Sequence, residues 1–414
     1  MPSLEMSRRS ALAQVGRCSV AAMLGLASTR RAFADPALCR SPTDAGMVVR
    51  GKNSVMKVVE SKPIVLETPL AELAKAGPTA TEVLFVRNNQ DLDGAASLDP
   101  VADDNWSVEI RGLIGKLRRI TLGELKKLPA HSVEMVLQCS GNSRYRFAET
   151  VAVKGTPWGD GGMGNVRFAG PKLSGVLASL GLEPEAAARF VTAGGADQPA
   201  QYKGDFEHSL PLAHVLDRSI LAVSLNDKPL PAIHGGPVRL VTPGYFGTMQ
   251  VKWLTSLEFV AEESTSDSHA VRYRMPNVVL PPGSEFKYSP ANSRSGWLMN
   301  VKSVMLLQNG LTFPAGKPLA LQGVAFNDGA CPIEAVLVST NRGQSWVPAK
   351  LTPAASNYAW SRWTIDLDTQ PGTVEVWSRA IDELGRTQPL DGRRIWNPAG
   401  YEFNAVDKRV VTFA

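Results

Sequence analysis

The feature that most constrains the fold is a polar, proline-rich stretch over residues 273–296, which divides the 414-residue chain into two unlike parts. It contains Pro276, Pro281, Pro282 and Pro290, and such a composition is typical of a connection between domains. Before it, short apolar runs alternate with helix signals; after it, one short strand pattern follows another. We therefore predict an α+β chain with a linker over residues 273–296.

Five strands are predicted after the linker, over residues 319–326, 333–339, 363–367, 374–380 and 409–413. Many of them alternate apolar and polar residues, and turn residues separate them. Several short strands in a segment of this length favour a β-sandwich, so residues 297–414 are predicted to form a second domain of that architecture.

The first part of the chain, residues 81–272, shows mixed signals. Residues 81–87, 106–110 and 133–137 are apolar runs typical of strands, while Thr121 and Glu124 form a capping box that opens a short helix. The apolar positions 173, 176, 177 and 180 share one helix face, which Gly181 closes. We predict a mixed α and β domain here, preceded by an extension over residues 35–80 that wraps over its surface.

A cysteine loop follows the predicted strand at residues 133–137. Cys139 stands at the start of a turn of small polar residues, and Arg144 and Arg146 come soon after it. Nearby guanidinium groups favour the thiolate, which is either a nucleophile or a soft metal ligand, and they attract anions. A cysteine after a buried strand is more often structural, so from the residues alone both interpretations stay open.

Residues 1–34 have the features of an export leader. Arg8 and Arg9 form a twin-arginine pair, an apolar stretch covers residues 20–27, and residues 32–34 read Ala-Phe-Ala, a cleavage signal. We predict twin-arginine export of a folded protein, a periplasmic location and a mature chain that begins near Asp35.

The charge of the chain is largely a property of this leader. The formal net charge is +5, and residues 1–34 hold five arginines and one glutamate, which leaves about +1 for the remainder. That balance predicts no nucleic-acid partner, and no apolar run after residue 34 is long enough to span a membrane.

Three cysteines remain after the predicted leader is removed: Cys39, Cys139 and Cys331. In an oxidising compartment an odd number leaves at least one thiol without a disulfide partner or with a chemical role. A disulfide between Cys39 and Cys331 stays open. The sequence contains no C-x-x-C-H motif, so we expect no covalently bound haem.

The cysteine loop, Gln138-Cys139-Ser140-Gly141-Asn142-Ser143-Arg144, resembles that of the sulfite oxidase family of molybdenum enzymes, and the resemblance covers most of residues 80–414. It implies a molybdenum–molybdopterin cofactor whose metal is bound by Cys139. It implies catalytic roles for Arg87, Arg144, Trp158 and Tyr273. It implies cofactor contacts from Arg87, Asn88, Asn89, Asp197, His234, Arg239, Gln250, Val251 and Lys252.

Each of these residues has a plainer interpretation when taken alone. His234 precedes two glycines and a proline and is consistent with a turn, Trp158 with the core, and Tyr273 with packing at the domain junction. Those interpretations do not explain why the residues occur together in the family's order. Two departures stand out, since Asn89 replaces a family histidine and Ala399 an arginine of some eukaryotic members.

Residues 339–346 and the Trp396-Asn397-Pro398 segment are similar to parts of the family's immunoglobulin-like dimerisation domain, which implies a homodimer. The resemblance implies oxidation of sulfite to sulfate, with electrons passed to an external periplasmic c-type cytochrome. Three alternatives stay open: a sulfane dehydrogenase subunit of a thiosulfate-oxidising complex, a methionine-sulfoxide reductase, and a non-catalytic secreted binding protein. The predicted sandwich argues against the reductase, whose relatives usually lack that domain.

Overall fold

The structure, a computed structural model, describes residues 49, 51–89, 104–197, 206–368 and 370–414, and the structural statements below refer to these ranges. The predicted leader and Cys39 lie outside them, so the export prediction and the Cys39–Cys331 pairing stay predictions. None of the helices within the described ranges combines the length and apolar character that a bilayer crossing requires.

The first part of the chain contains many short elements. Its strands are β1 (Lys57–Glu60), β2 (Val65–Glu67), β3 (Val86–Arg87), β4 (Ser107–Gly112), β5 (Arg118–Thr121), β6 (Ala130–Gln138), β7 (Met163–Pro171), β8 (Phe190–Gly195), β9 (Glu207–Pro211), β10 (Ile220–Ala222), β11 (Ser224–Leu225), β12 (Lys228–Pro229), β13 (Arg239–Val241) and β14 (Leu254–Val260). Its helices are α1 (Leu70–Leu73), α2 (Leu122–Leu125), α3 (Leu173–Ser179), α4 (Leu212–Arg218) and α5 (Asp267–Ala270).

These strands form sheets in the orders β1-β2-β3, β12-β11-β7-β6, β5-β4-β14-β8-β9 and β10-β13. The capping box is confirmed, because the Thr121 side chain accepts from the Glu124 amide and Glu124 accepts from the Thr121 amide at the start of α2. Helix α3 is also confirmed, and Gly181 follows it with a φ of +63°, a left-handed value that glycine adopts without steric cost.

The long hairpin β6–β7 positions the cysteine loop. The two strands pair antiparallel without a break, from Ala130 opposite Pro171 to Gln138 opposite Met163. Beyond that last pair the Cys139 amide donates to the Gly162 carbonyl at 2.9 Å. The cysteine loop and the glycine-rich loop that follows Trp158 therefore lie side by side at one end of the hairpin.

The segment predicted as an extension is built into this domain. β2 pairs with β3, which carries Arg87, at Val65–Arg87 and Leu66–Val86. The Glu67 carboxylate accepts from the Gly159 and Gly161 amides, both at 3.0 Å. Residues 51–67 thus pair with strand β3 and hold the loop that contains Gly159 and Gly161, instead of only covering the surface of the domain.

The predicted linker is also more structured than its composition indicated. β15 (Arg274–Pro276) and β16 (Ser293–Ser295) form a hairpin within it. Arg274 is buried, donates to the hydroxyls of Ser293 and Ser295 at 2.9 Å, and forms an ion pair with Glu263. A buried guanidinium needs such partners, and these anchor the segment to the first domain.

The second domain confirms the predicted β-sandwich. Its strands are β17 (Lys302–Met305), β18 (Leu311–Phe313), β19 (Leu319–Phe326), β20 (Ile333–Ser339), β21 (Val347–Pro348), β22 (Lys350–Thr352), β23 (Ser361–Leu367), β24 (Gly372–Asp382) and β25 (Asp407–Phe413). Two sheets, β17-β19-β23-β22 and β18-β25-β24-β20-β21, enclose an apolar core that includes Leu321, Val336, Trp363, Val376 and Val411. Alternate residues of these strands face that core, which is the pattern read from the sequence.

Candidate active site

A cavity with about 670 Å³ of atom-free space, partly open to solvent, lies in the first domain. Its wall combines a thiol, several cationic side chains, amides and a tyrosine. Of the residues predicted for the site, it brings together Arg87, Asn89, Cys139, Asp197, His234, Arg239, Gln250, Lys252 and Tyr273.

Cys139 is held at this wall by the backbone of its own loop. The Asn142 amide donates to the Cys139 carbonyl at 2.9 Å, and the Asn142 side chain accepts from the Gly162 amide at 2.9 Å. Ser143 takes a left-handed φ of +68°, and Lys302 of the sandwich donates to its hydroxyl at 2.8 Å. The thiol is therefore presented from a fixed loop, with 6 % of the residue exposed.

Arg239, on β13, contributes a buried positive charge. Its guanidinium donates to the carbonyls of Gln250 and His234, at 3.1 and 3.0 Å. Burial lowers the Arg239 pKa to about 9, because neutral carbonyls compensate the charge only in part. An anion in the cavity would remove this penalty.

Lys252 is the second cation of the wall. Its ammonium donates to the Arg87 carbonyl at 3.1 Å and to the Asn88 side-chain oxygen, and it lies 4.1 Å from the centre of the Trp253 ring. Burial and the neighbouring Arg239 lower the Lys252 pKa well below its ordinary value, while Asp197 opposes the shift. Asn88 thus holds the Lys252 ammonium in place without lining the cavity itself.

His234 contacts a residue that the sequence analysis missed. Lys52, in the N-terminal extension, approaches His234 with its ammonium 2.6 Å from Nε2. Burial lowers the His234 pKa well below its ordinary value, and the charges of Lys52 and Arg239 add to the shift. No motif surrounds Lys52, so no local signal in the sequence indicates its role.

Asn89, which stands where the family keeps a histidine, connects two other predicted residues. It accepts from the Arg87 guanidinium at 2.8 Å and donates to the Tyr273 hydroxyl at 2.5 Å. Burial raises the Tyr273 pKa, so the hydroxyl stays protonated at neutral pH and can donate in turn. The replacement therefore leaves a connected group of Arg87, Asn89 and Tyr273 at the cavity.

Arg144 and Trp158 lie behind the wall of the cavity. Arg144 donates to the carbonyls of Gly400 and Thr156, at 3.1 and 2.8 Å, and its guanidinium lies 5.2 Å from the centre of the Tyr401 ring. Trp158 is fully buried and packs edge-on against Phe85, which does line the cavity. Val251 is also fully buried in the core.

Tyr401 is a second residue that the sequence analysis missed. It belongs to the second domain, and its ring centre lies 5.0 Å from that of Tyr273. It follows the Trp396-Asn397-Pro398 segment by three residues, so that motif is the signal from which it could have been identified. The Tyr401 ring centre also lies 5.2 Å from the guanidinium of Arg144, the arginine predicted to bind substrate, so the second domain contributes a residue beside it.

The expectation that Arg146 would help to attract an anion was wrong. Arg146 is buried and forms ion pairs with Asp160 at 2.9 Å and Asp407 at 2.5 Å. Its charge is satisfied inside the protein, between the cysteine loop and β25. Arg146 therefore serves the structure, whereas Arg144, two residues earlier, lies beside Tyr401 and close to the site.

The donor set fits a molybdenum–molybdopterin group. A soft thiol suits a metal that is also bound by sulfur, and buried cations that bond mainly to neutral carbonyls and amides suit an anionic phosphate. Two buried polar atoms, the Gln250 side-chain oxygen and the Asn88 side-chain nitrogen, lack a hydrogen-bond partner among the described residues. Buried polar atoms are rarely left unpaired, so their presence beside the cavity agrees with a polar ligand.

Comparisons with known proteins agree with this geometry. Residues 95–268 match the family model described as the oxidoreductase molybdopterin binding domain, and residues 294–412 match the Mo-co oxidoreductase dimerisation domain. The mitochondrial sulfite oxidase of Drosophila melanogaster is 30% identical over 86% of this chain, which spans 63% of that enzyme. The sulfite oxidase of Arabidopsis thaliana is 27% identical over 83% of this chain and 91% of its own length.

A solved structure shares the fold. The crystal structure of the sulfane dehydrogenase SoxCD from Paracoccus pantotrophus matches with a TM-score of 0.70, covering 92% of this chain and 99% of the matched chain. Its identity to this chain is 22%, so the likeness concerns the fold alone.

Proposed function

The chain belongs to the sulfite oxidase family of molybdopterin enzymes, and from that premise we propose that it oxidises sulfite to sulfate in the periplasm and passes the electrons to a c-type cytochrome. The observation that carries the proposal is the placement of the Cys139 thiol in one cavity with Arg239, Lys252 and His234. The location rests on the leader pattern of residues 1–34, and the acceptor on the absence of a haem motif from the sequence.

When bound, the molybdenum cofactor supplies two-electron transfer of an oxygen atom to the sulfur of sulfite. Cys139, as thiolate, would bind the metal. Arg239 and Lys252 would bind the anionic end of the pterin, because their buried charges are bonded mainly to neutral carbonyls and an amide. His234, whose lowered pKa keeps its ring neutral, would add a hydrogen bond. In the net reaction, water provides the oxygen, sulfate and two protons form, and two one-electron acceptors each take one electron.

Sulfite and sulfate are both anions, so the substrate needs positive charge near the metal ligand. Arg87 provides it at the cavity wall, where Asn89 holds its guanidinium. Arg144 contributes from behind, held by Gly400 of the second domain. The Tyr273 hydroxyl, whose pKa is raised by burial, remains protonated at neutral pH and would be able to donate a hydrogen bond to the bound substrate or cofactor.

The dimeric state is part of the same proposal, since the second domain matches a dimerisation-domain model. We expect a homodimer in solution, which sedimentation of the purified mature chain will show as twice the mass of one chain.

The function is tested with exported, purified protein. We expect sulfite to reduce a c-type cytochrome in stopped-flow experiments with the wild type and not with Cys139→Ser. Absence of sulfite-dependent reduction in a molybdenum-loaded wild type would overturn the assignment. Activity with a carrier-bound sulfane sulfur, and none with sulfite, would identify a sulfane dehydrogenase instead.

A further inference from the structure

We propose that Lys52 is a positioning residue for the cofactor, which sets the orientation and the protonated nitrogen of the His234 ring and so connects the N-terminal segment to cofactor retention. This inference rests on the proposed function, because it concerns the anionic end of the same cofactor. Neither family model includes Lys52, since the first begins at residue 95.

The contacts of Lys52 use its full donor capacity. Its Nζ lies 2.6 Å from the Thr81 carbonyl, 2.8 Å from the Leu84 carbonyl and 2.6 Å from His234 Nε2. An ammonium has three protons and no acceptor, so the protonated side chain gives one proton to each of these atoms. Nε2 then accepts, and the ring proton of His234 is on Nδ1.

The backbone fixes the place of Lys52. Its amide donates to the Val49 carbonyl at 3.0 Å, and the Asn53 amide donates to the Glu82 carbonyl at 2.9 Å. The chain near Lys52 is therefore attached to the turn at residues 80–84, which leads directly into Arg87 on β3. Lys52 does not itself line the cavity, so it acts through His234, which does.

The charge of Lys52 is costly without a ligand. Burial lowers the Lys52 pKa to about 7, and Glu82 opposes this only in part. Lys52, Arg239 and Lys252 place three cationic groups around His234, and all three raise the cost of charging its ring. A bound anionic group would favour the charged form of Lys52 and hence the arrangement in which Nδ1 of His234 carries the proton.

The experiment compares Lys52→Met with Lys75→Met in the full chain. Lys75 is a matched control because its side chain is 67% exposed and pairs with Glu72 at the surface. Molybdenum and oxidised pterin are measured per chain during dialysis. We expect Lys52→Met to lose the cofactor at least about tenfold faster than Lys75→Met, as is usual when a partner behind a ligand is removed. Lys52→Arg is expected to restore part of the retention.

A purely structural role would lower the melting temperature of the cofactor-free protein. We expect cofactor-free Lys52→Met to melt at or above the wild-type temperature, with a smaller gain on cofactor binding. His234→Gln removes the same contact from the other side, so adding Lys52→Met to it should cause little further loss of cofactor. Retention equal to that of Lys75→Met, or full additivity with His234→Gln, would overturn the proposal.

These readouts do not depend on turnover. A protein that retains pterin in the predicted order of variants but does not oxidise sulfite would refute the proposed function and leave the role of Lys52 intact. If Lys52→Met does not fold, His234→Gln against wild type supplies the retention test, and unchanged retention in it would refute the proposal.

Discussion

Two groups of buried cations in this protein are built in opposite ways. The cavity group consists of Lys52, Arg239 and Lys252, which bond mainly to carbonyls, an amide and a histidine. The network group consists of Arg146 and Arg409, which share the carboxylates of Asp160 and Asp407. The first group lies at the candidate active site, and the second lies between the cysteine loop and β25.

The pKa shifts of the two groups run in opposite directions. In the cavity group, burial lowers the pKa of Arg239 and Lys52. In the network group, burial also lowers the pKa of Arg146, but Asp160 and Asp407 outweigh it and the pKa is raised. The buried charges of the network group are therefore neutralised by carboxylates of the protein. Those of the cavity group bond mainly to neutral groups and can pair with an anionic ligand. The comparison separates residues that stabilise the fold from residues that bind.

The largest expected effect is that of Arg146→Met. The substitution leaves Asp160 and Asp407 with one cation fewer, and removing one partner of a buried ion pair typically costs about 3–5 kcal/mol. We expect that loss in the free energy of unfolding with or without the cofactor, measured by urea denaturation. A loss confined to the cofactor-bound protein would contradict the structural role.

Arg239→Met is the corresponding change in the cavity group. Two carbonyls lose their donor, which costs the cofactor-free protein about 1–2 kcal/mol, and removal of a buried charge offsets part of this. Cofactor binding is expected to weaken by about 2–5 kcal/mol, because a buried charge that pairs with the ligand is lost. Pterin content and denaturation curves check both numbers. Wild-type pterin content, together with a stability loss as large as that of Arg146→Met, would remove the contrast between the groups.

The pH dependence of stability gives a smaller effect. Lys52 has an ordinary pKa of 10.5 and a folded-state pKa of about 7, so between these values the unfolded chain binds more protons. The free energy of unfolding of the cofactor-free protein should therefore rise with pH across that interval, by about 1 kcal/mol per pH unit from this group. Lys52→Met should lack this contribution, and the bound cofactor should reduce it. Equal slopes for wild type and Lys52→Met between pH 7 and 9 would contradict the assignment.

The smallest effect concerns Arg144, which belongs to neither group. It is two residues from Arg146, yet it contacts carbonyls and the Tyr401 ring. Tyr401→Leu removes the ring beneath the guanidinium, an interaction worth about 0.5–1 kcal/mol at exposed sites. We expect the KM for sulfite to rise about two- to fivefold with little change in stability. An unchanged KM would show that Tyr401 does not influence substrate binding.

Much of the second domain could be predicted from its sequence, because alternation of apolar and polar residues is a local signal. All five strands predicted after residue 297 are present, and 319–326 and 333–339 agree at both ends. In the first domain the capping box and α3 could be predicted because their signals are also local in the sequence. The apolar run at residues 81–87 predicts one strand, but only Val86–Arg87 forms a strand, because a turn occupies the residues before it.

The candidate site was predictable only where a motif marked it. The family's order of residues pointed to nine residues that now line one cavity. It gave no indication of Lys52, because the contact with His234 joins residues 182 positions apart. The positive charge beside Cys139, taken without the resemblance, also could not distinguish Arg144 from Arg146, since only the fold brings Asp160 and Asp407 to Arg146.

The central claim is that the Cys139 sulfur binds molybdenum in a cavity whose cations hold the anionic end of the pterin. X-ray absorption at the molybdenum edge of exported protein tests it directly. We expect the metal of Cys139→Ser to have one sulfur neighbour fewer than that of the wild type, with pterin still bound. An identical sulfur environment in both proteins, or no molybdenum in the correctly exported wild type, would contradict the claim.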